Sequence, residues 1–196
     1  MSKEFYVVRK MGYWEMYFGN SGKRSPFWTN GFLELPEKIY SKFLPFIGRS
    51  GNIVDFGCGN GMLLRFLKER SRFRLVPFGI DFQEEAIWEA QEVILSEYRE
   101  NFRVGNIAEL DFQRNLFDFA LLDPYHLSDA DREAVVGGIL ERLRPRGRLI
   151  VYSYHDAMVQ LKHRRLRDFC GMERYSLSRD LVLRGEVSLA CIDRPD

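Results

Sequence analysis

Apolar and polar positions follow two alternating rhythms along most of the chain. Short runs with few polar positions are "NIVDF" (52–56), "FGID" (78–81), "NFRVGN" (101–106), "FDFALLD" (117–123) and "RLIVYSY" (148–154). Each has the length of a β-strand, and Pro77 sits near the start of the second, where proline is tolerated. Between them apolar residues return at helical spacing. "GMLLRFLKER" reads as a helix start and body, and residues 83–98 place Ile87, Ala90, Ile94 and Tyr98 on one stripe. "DADREAVVGGILERLR" reads as a third helix with Asp129 as its N-cap. Residues 34–47 repeat the spacing through Leu35, Ile39, Phe43 and Phe46, with Pro45 near the end, and residues 157–169 read as helical. The tail reads as two strands, about 174–183 and 186–193, turning at Arg184 and Gly185.

Strands that are apolar on both faces and alternate with helices describe a parallel sheet covered on two sides. The terminal pair adds an antiparallel edge. Residues 1–33 break this rhythm: they are punctuated by glycine and rich in aromatics, among them Tyr13, Trp14, Tyr17, Phe18, Phe27, Trp28 and Phe32. Internal repeats, low-complexity tracts and linkers do not stand out.

Composition narrows the class. At 196 residues, with 45% hydrophobic and 29% charged positions, the chain suits one soluble domain with one core. Its net charge of +1 gives no global attraction to nucleic acid or acidic membranes. Cys58, Cys170 and Cys191 lie far apart, without zinc-ligand spacing, as in a cytosolic protein with reduced thiols. No apolar run is long enough for a signal peptide core or a membrane span, so the expected location is cytoplasmic.

The chemistry concentrates in "DFGCGNG" (55–61), a strand-to-helix turn with three glycines in five positions. Glycine there permits a tight backbone and close approach of a ligand to the amides of the helix start. A dinucleotide fold needs G-x-G-x-x-G/A, and counting from Gly57 the last position is Met62, which fails. The observed pattern is D-x-G-x-G-x-G, through Asp55, Gly57, Gly59 and Gly61. It resembles motif I of class I S-adenosylmethionine-dependent methyltransferases. The resemblance covers roughly residues 50–193. It implies a Rossmann-like, doubly wound α/β fold: a seven-stranded sheet, mostly parallel, with an antiparallel last strand. It also implies that the loop wraps the methionine part of S-adenosyl-L-methionine, with Asp55 toward its amino group. Cys58 lies in that loop as a small packing residue. Asp81, 20 residues after Gly61, is the expected ligand of the ribose hydroxyls, since a carboxylate offers two acceptors to a vicinal diol. Phe82 is expected on the adenine, and Asn106 and Ile107 at its edge. "LRPRGRLIVYSY" resembles the family's L-x-P-G-G segment, with Arg146 in place of the first glycine, which suggests a different local turn. "SPFWTNGF" is similar to the P-W-D-x-G approach segment of small cytosolic members, giving Trp28 a pocket role and residues 1–33 the role of covering the site. Residues 34–196 are then the methyltransferase domain of a single-domain protein.

Methyl transfer from a sulfonium needs positioning and exclusion of water, and no metal. The acceptor belongs beyond the carboxyl ends of the first and fourth strands. There the chain has "DPYH". Asp123, Tyr125 and His126 are the candidate acceptor-facing residues. The segment resembles the (D/N)-P-P-(Y/F) motif of amino-methyltransferases of nucleic acid, shortened by one proline. It also resembles the His-Leu segment of small-molecule members, where His126 would act as base or substrate contact. The expected activity is methylation of a small molecule. Methylation of an amine in RNA, DNA or protein is the alternative, with "KHRRLR" (162–167) as a possible phosphate contact, and a non-catalytic cofactor-binding protein is the third.

Overall fold

The computed structural model describes residues 39–109, 112–124, 127–154, 166, 172, 175–183 and 187–196. The apolar runs form strands β1 (Gly51–Phe56), β2 (Leu75–Asp81), β3 (Phe102–Val104), β4 (Phe117–Leu122) and β5 (Leu143–Tyr154), and the tail supplies β6 (Ser178–Leu183) and β7 (Val187–Asp193). They make one seven-stranded sheet in the order β3-β2-β1-β4-β5-β7-β6. β1 pairs in parallel with β2 and β4, β2 with β3 and β4 with β5, whereas β7 runs antiparallel to both β5 and β6. This is the doubly wound, Rossmann-like arrangement expected from the sequence. All of it lies in the unit Tyr40–Asp196. The aromatic segment 1–33 and the turn at Arg184–Gly185 lie outside the described residues, as does the helix expected at 157–169 apart from Leu166.

Alternation within each strand divides the core in two. Val54, Phe56, Ala120, Leu122, Leu149 and Val151 pack with Val135, Val136 and Ile139 of helix α3 (Asp129–Arg142). Their neighbours Ile53, Phe119, Leu121 and Ile150 are also buried, and side chains of adjacent strand residues point to opposite faces. Helix α1 (Met62–Arg70) buries Leu63, Leu64 and Leu67, three leucines on one helical stripe. Each fully buried leucine is worth about 1.5–3 kcal/mol relative to exposure. Pro77 is the third residue of β2, and its carbonyl accepts from Asn101 Nδ2 at 3.0 Å. β3 pairs only from Gly79 onward, so the missing proline N–H breaks no ladder bond on that side.

Three local expectations need correction. Residues 34–47 do not end as an α-helix: Ser41–Phe46 is a 3-10 turn containing Pro45, which cannot donate to a continuing helix. The helix expected over 83–98 is α-helical only as α2 (Glu84–Glu89); it widens into a π-turn over Ala90–Ile94, closed by Leu95 N–H to the Ala90 carbonyl, and Leu95 leaves helical geometry with φ −135°. The N-cap of α3 is Ser128, not Asp129, because the Ser128 hydroxyl accepts from Asp131 N–H at 3.1 Å. No helix among the described residues is long and apolar enough to cross a membrane.

Asp118 organises the amino edge of the sheet. It is buried and accepts from Asn52 N–H at 2.9 Å, from Arg144 Nη1 at 2.8 Å and from Arg49 Nε at 3.4 Å. Asp118→Asn keeps the shape but removes the charge facing two half-exposed arginines. We expect a loss of about 1 kcal/mol, read as a lower urea midpoint with an unchanged slope.

Candidate active site

β1 ends at Phe56, and the chain turns into α1 through Gly57, Gly59 and Gly61 with φ of 93°, 53° and 79°. A residue with a Cβ pays about 1–2 kcal/mol for each such conformation. Gly61 is the N-cap of α1, and a Cβ there would lie 3.3 Å from Leu95 Cδ1. The run of glycines therefore answers to backbone geometry and to packing together. The turn is tied to the adjacent strand: Gly57 and Cys58 N–H both donate to the Ile80 carbonyl, at 2.8 and 3.1 Å.

Two acids flank the turn. Asp55, in β1 with 2% exposure, receives the Tyr152 hydroxyl of β5 at 3.4 Å. Asp81, the last residue of β2 with 1% exposure, accepts from Gly59 N–H at 2.9 Å through Oδ2 and from Gln83 N–H at 3.1 Å through Oδ1. One carboxylate thus joins the glycine turn to the β2–α2 loop. Asn60 completes the connection: its Nδ2 donates to Glu89 Oε2 of α2 at 3.1 Å, and its Oδ1 accepts from Met62 N–H at 3.3 Å.

The structure brings most of the expected residues to the carboxyl edge of β1, β2 and β3. Phe82 follows Asp81 and is half-buried. Asn106 and Ile107 follow β3, whose end is held by Gly105 N–H donating to the Asp81 carbonyl at 2.9 Å. The Asn106 side chain is exposed, and its Oδ1 accepts from Ala108 N–H at 3.0 Å, which opens a single turn over Ile107–Glu109. Ile107 points into the core cluster with Phe56 and Ile80. Cys58 is buried, and its Sγ occupies the space over Gly79. Asp123, buried, directly follows β4. Tyr125, His126 and Trp28 lie outside the described residues.

Two functional candidates escaped the sequence reading. Tyr152 is one, and its only signal is a hydroxyl directly after the aliphatic run Leu149–Val151 of β5. Arg132 is the other. It is 4% exposed and donates through Nε to the Pro124 carbonyl at 3.4 Å and through Nη2 to the Leu127 carbonyl at 3.1 Å. The signal was available: Arg132, Val135, Val136 and Ile139 form one i, i+3, i+4, i+7 stripe, and a charge on such a stripe needs buried partners.

The family model described as a methyltransferase domain matches residues 47–183, from the end of the first 3-10 turn through β6. The chain belongs to this family. The class I S-adenosylmethionine-dependent methyltransferase read from residues 55–61 is thereby the right family, and the sheet order agrees with it. Solved structures with the same fold as this methyltransferase domain share little sequence with it. A Burkholderia thailandensis 1,6-didemethyltoxoflavin-N1-methyltransferase, with 1,6-didemethyltoxoflavin and S-adenosylhomocysteine bound, superposes with a TM-score of 0.69 at 16% identity, over 98% of this chain and 90% of that one. A Pyrococcus horikoshii protein gives 0.66 at 19% identity over 100% of both chains. A Salinibacter ruber RNA methyltransferase in complex with S-adenosyl-L-homocysteine gives 0.59 at 16% identity, over 82% and 93%. No curated protein sequence matches this methyltransferase domain.

Proposed function

We propose that this domain methylates a small molecule with S-adenosyl-L-methionine as cofactor. The observation that carries the reading is the bond from Gly59 N–H to Asp81 Oδ2, which makes the glycine turn and the acid of the next strand one unit. The residues fit the cofactor on their chemistry. Asp55, 2% exposed, is an acceptor for an ammonium group, and Asp81, 1% exposed, is an acceptor pair for a vicinal diol. The left-handed glycines keep side chains away from the amides that start α1. Phe82, Asn106 and the backbone amide of Ile107 would border the base. The cofactor supplies a methyl group already activated on sulfur. The chain's own task is to orient the acceptor and exclude water.

Asp123 and its segment would face the acceptor, with Tyr125 and His126 as further contacts. The small-molecule reading is supported by the near-neutral net charge of +1 and by the likeness to a toxoflavin-precursor methyltransferase. It is supported too by the Pro124 carbonyl, which accepts from buried Arg132 of α3. In the nucleic-acid amine motif a backbone carbonyl of this segment holds the target amine. Arg132 is accordingly a positioning residue for the segment. Arg132→Met should leave cofactor affinity within about twofold, lower kcat for methyl transfer about tenfold and cost about 1–2 kcal/mol of stability. Arg132→Lys should restore part of kcat, and a kcat loss matched by equal cofactor loss would count against the assignment.

The test of the function is calorimetric binding of S-adenosylmethionine, followed by transfer of labelled methyl to a small-metabolite panel and to total RNA and protein. Label in a small molecule is the expected result. Label confined to RNA would overturn the acceptor class, and absence of cofactor binding would overturn the enzyme reading itself.

A further inference from the structure

The edge of the sheet opposite the glycine turn holds a concavity of about 480 Å³. It lies at the amino ends of β1 and β2, about 20 Å along β1 from the proposed active site, taking about 3.3 Å per strand residue. Its wall carries four arginines, Arg70 from the end of α1, Arg72 from the α1–β2 loop, Arg148 from β5 and Arg179 from β6, with Pro45 and Phe73 on its apolar side. No Asp or Glu lines it among the described residues. The volume falls within the range of about 300–1,000 Å³ common to small-ligand sites.

From this geometry we infer that the cleft binds the phosphate of a nucleotide. Four arginines line one concave wall, and guanidinium groups match phosphate oxygens in charge and donor geometry. Among the described residues, two of the four keep donors beyond their internal bonds. Arg148 donates through Nε to Asp193 at 2.5 Å and through Nη1 to the Phe46 carbonyl at 3.1 Å, two of its five N–H groups. Arg179 donates through Nη1 to the Pro45 carbonyl at 2.7 Å. Arg72 stacks on Phe73, with its Cζ 4.7 Å from the ring centroid, which presents a flat cationic surface suited to a base or a phosphate.

The backbone at Arg179 strengthens the inference. The residue has φ +53° and lies in a register shift of β6 between Ser178 and Leu181. A bulge re-aims a side chain, and this one sends Arg179 to the cleft wall. A left-handed non-glycine residue costs about 1–3 kcal/mol, whereas one hydrogen bond to a carbonyl returns about 1 kcal/mol. Folding alone therefore favours glycine or is indifferent at this position.

The source of the phosphate is either a free nucleotide or an RNA strand, and two probes separate them. Binding of UTP and of a short single-stranded RNA is measured on the full chain, in the wild type and in Arg179→Gly, Arg72→Glu and Asp81→Ala. Arg179→Gly keeps the backbone conformation, so its Tm should stay within about 3 °C of the wild type. We expect Arg179→Gly and Arg72→Glu each to weaken binding at least tenfold, and Asp81→Ala to leave it unchanged, because the cleft is remote from the proposed cofactor site. UTP bound more tightly than RNA identifies a free nucleotide. Tighter RNA binding with steep salt dependence, lost in the same variants, identifies a strand. Absence of binding by both probes, or binding indifferent to both arginine changes, overturns the inference. Loss in Asp81→Ala alone assigns the nucleotide to the other site and overturns it as well.

Discussion

Replacing Asp81 with alanine is expected to weaken binding of S-adenosylhomocysteine at least tenfold, a change of about 1.4 kcal/mol or more. Two losses add. The carboxylate proposed to hold the ribose disappears, and a charged acceptor is worth about 1.5–3 kcal/mol to a bound hydroxyl. The amides of Gly59 and Gln83 also lose their acceptor, so the turn and the β2–α2 loop are no longer joined through one side chain. Asp81→Asn should fall between wild type and alanine, because one of its two terminal atoms still accepts while the other, now an amide nitrogen, meets a backbone donor. Titration calorimetry at a temperature well below each variant's Tm separates affinity from folding. Wild-type affinity in Asp81→Ala would place the sugar elsewhere.

A branched side chain at Gly79 should be the most damaging single change to the fold near the site. The position looks unremarkable in the sequence, a glycine inside a strand. In the structure a Cβ there would lie 2.6 Å from Cys58 Sγ and 2.6 Å from Phe102 Cδ1. Neither neighbour can give way easily. Cys58 is anchored by its N–H to the Ile80 carbonyl at 3.1 Å, and Phe102 is buried in β3. Overpacking of this kind costs about 1–3 kcal/mol and occasionally more, and for Gly79→Val we expect about 3 kcal/mol by urea denaturation. Cofactor affinity should fall with it, since Cys58 carries the turn. Cys58→Ala in the Gly79→Ala background should recover part of the stability, and the coupling in this cycle should exceed about 0.5 kcal/mol. Strict additivity would show that the two side chains do not share the space.

How far the chain could be read depended on the range of the interactions. Strand ends were legible because apolar runs stop at charged or glycine residues, as at Asp55–Phe56 and Asp81. The start of α3 was legible within one residue. Ser128 and Asp129 are both good caps, and only the orientation of the hydroxyl toward Asp131 N–H decides between them. The stripe over 83–98 kept its buried members Ile87, Ala90 and Ile94, yet the helix did not stay regular. Arg146 shows the same limit: φ +60° keeps a left-handed turn in spite of its side chain, which is held by Asp196 while its carbonyl accepts from Arg49.

By itself the sequence determined the strand and helix alternation, the family, and the glycine turn with the two acids that flank it. Those features rest on local periodicity, on backbone conformations open to glycine, and on residue types at short fixed spacing. Only the tertiary structure decided that Asp81 grips Gly59, that Tyr152 reaches Asp55 across the sheet, that Arg132 is buried against the Pro124 and Leu127 carbonyls, and that four arginines gather at the opposite edge. Each of these joins atoms of residues remote in sequence or hidden within an apolar stripe, and hydrogen bonding and charge act over distances that exist only once the sheet has assembled.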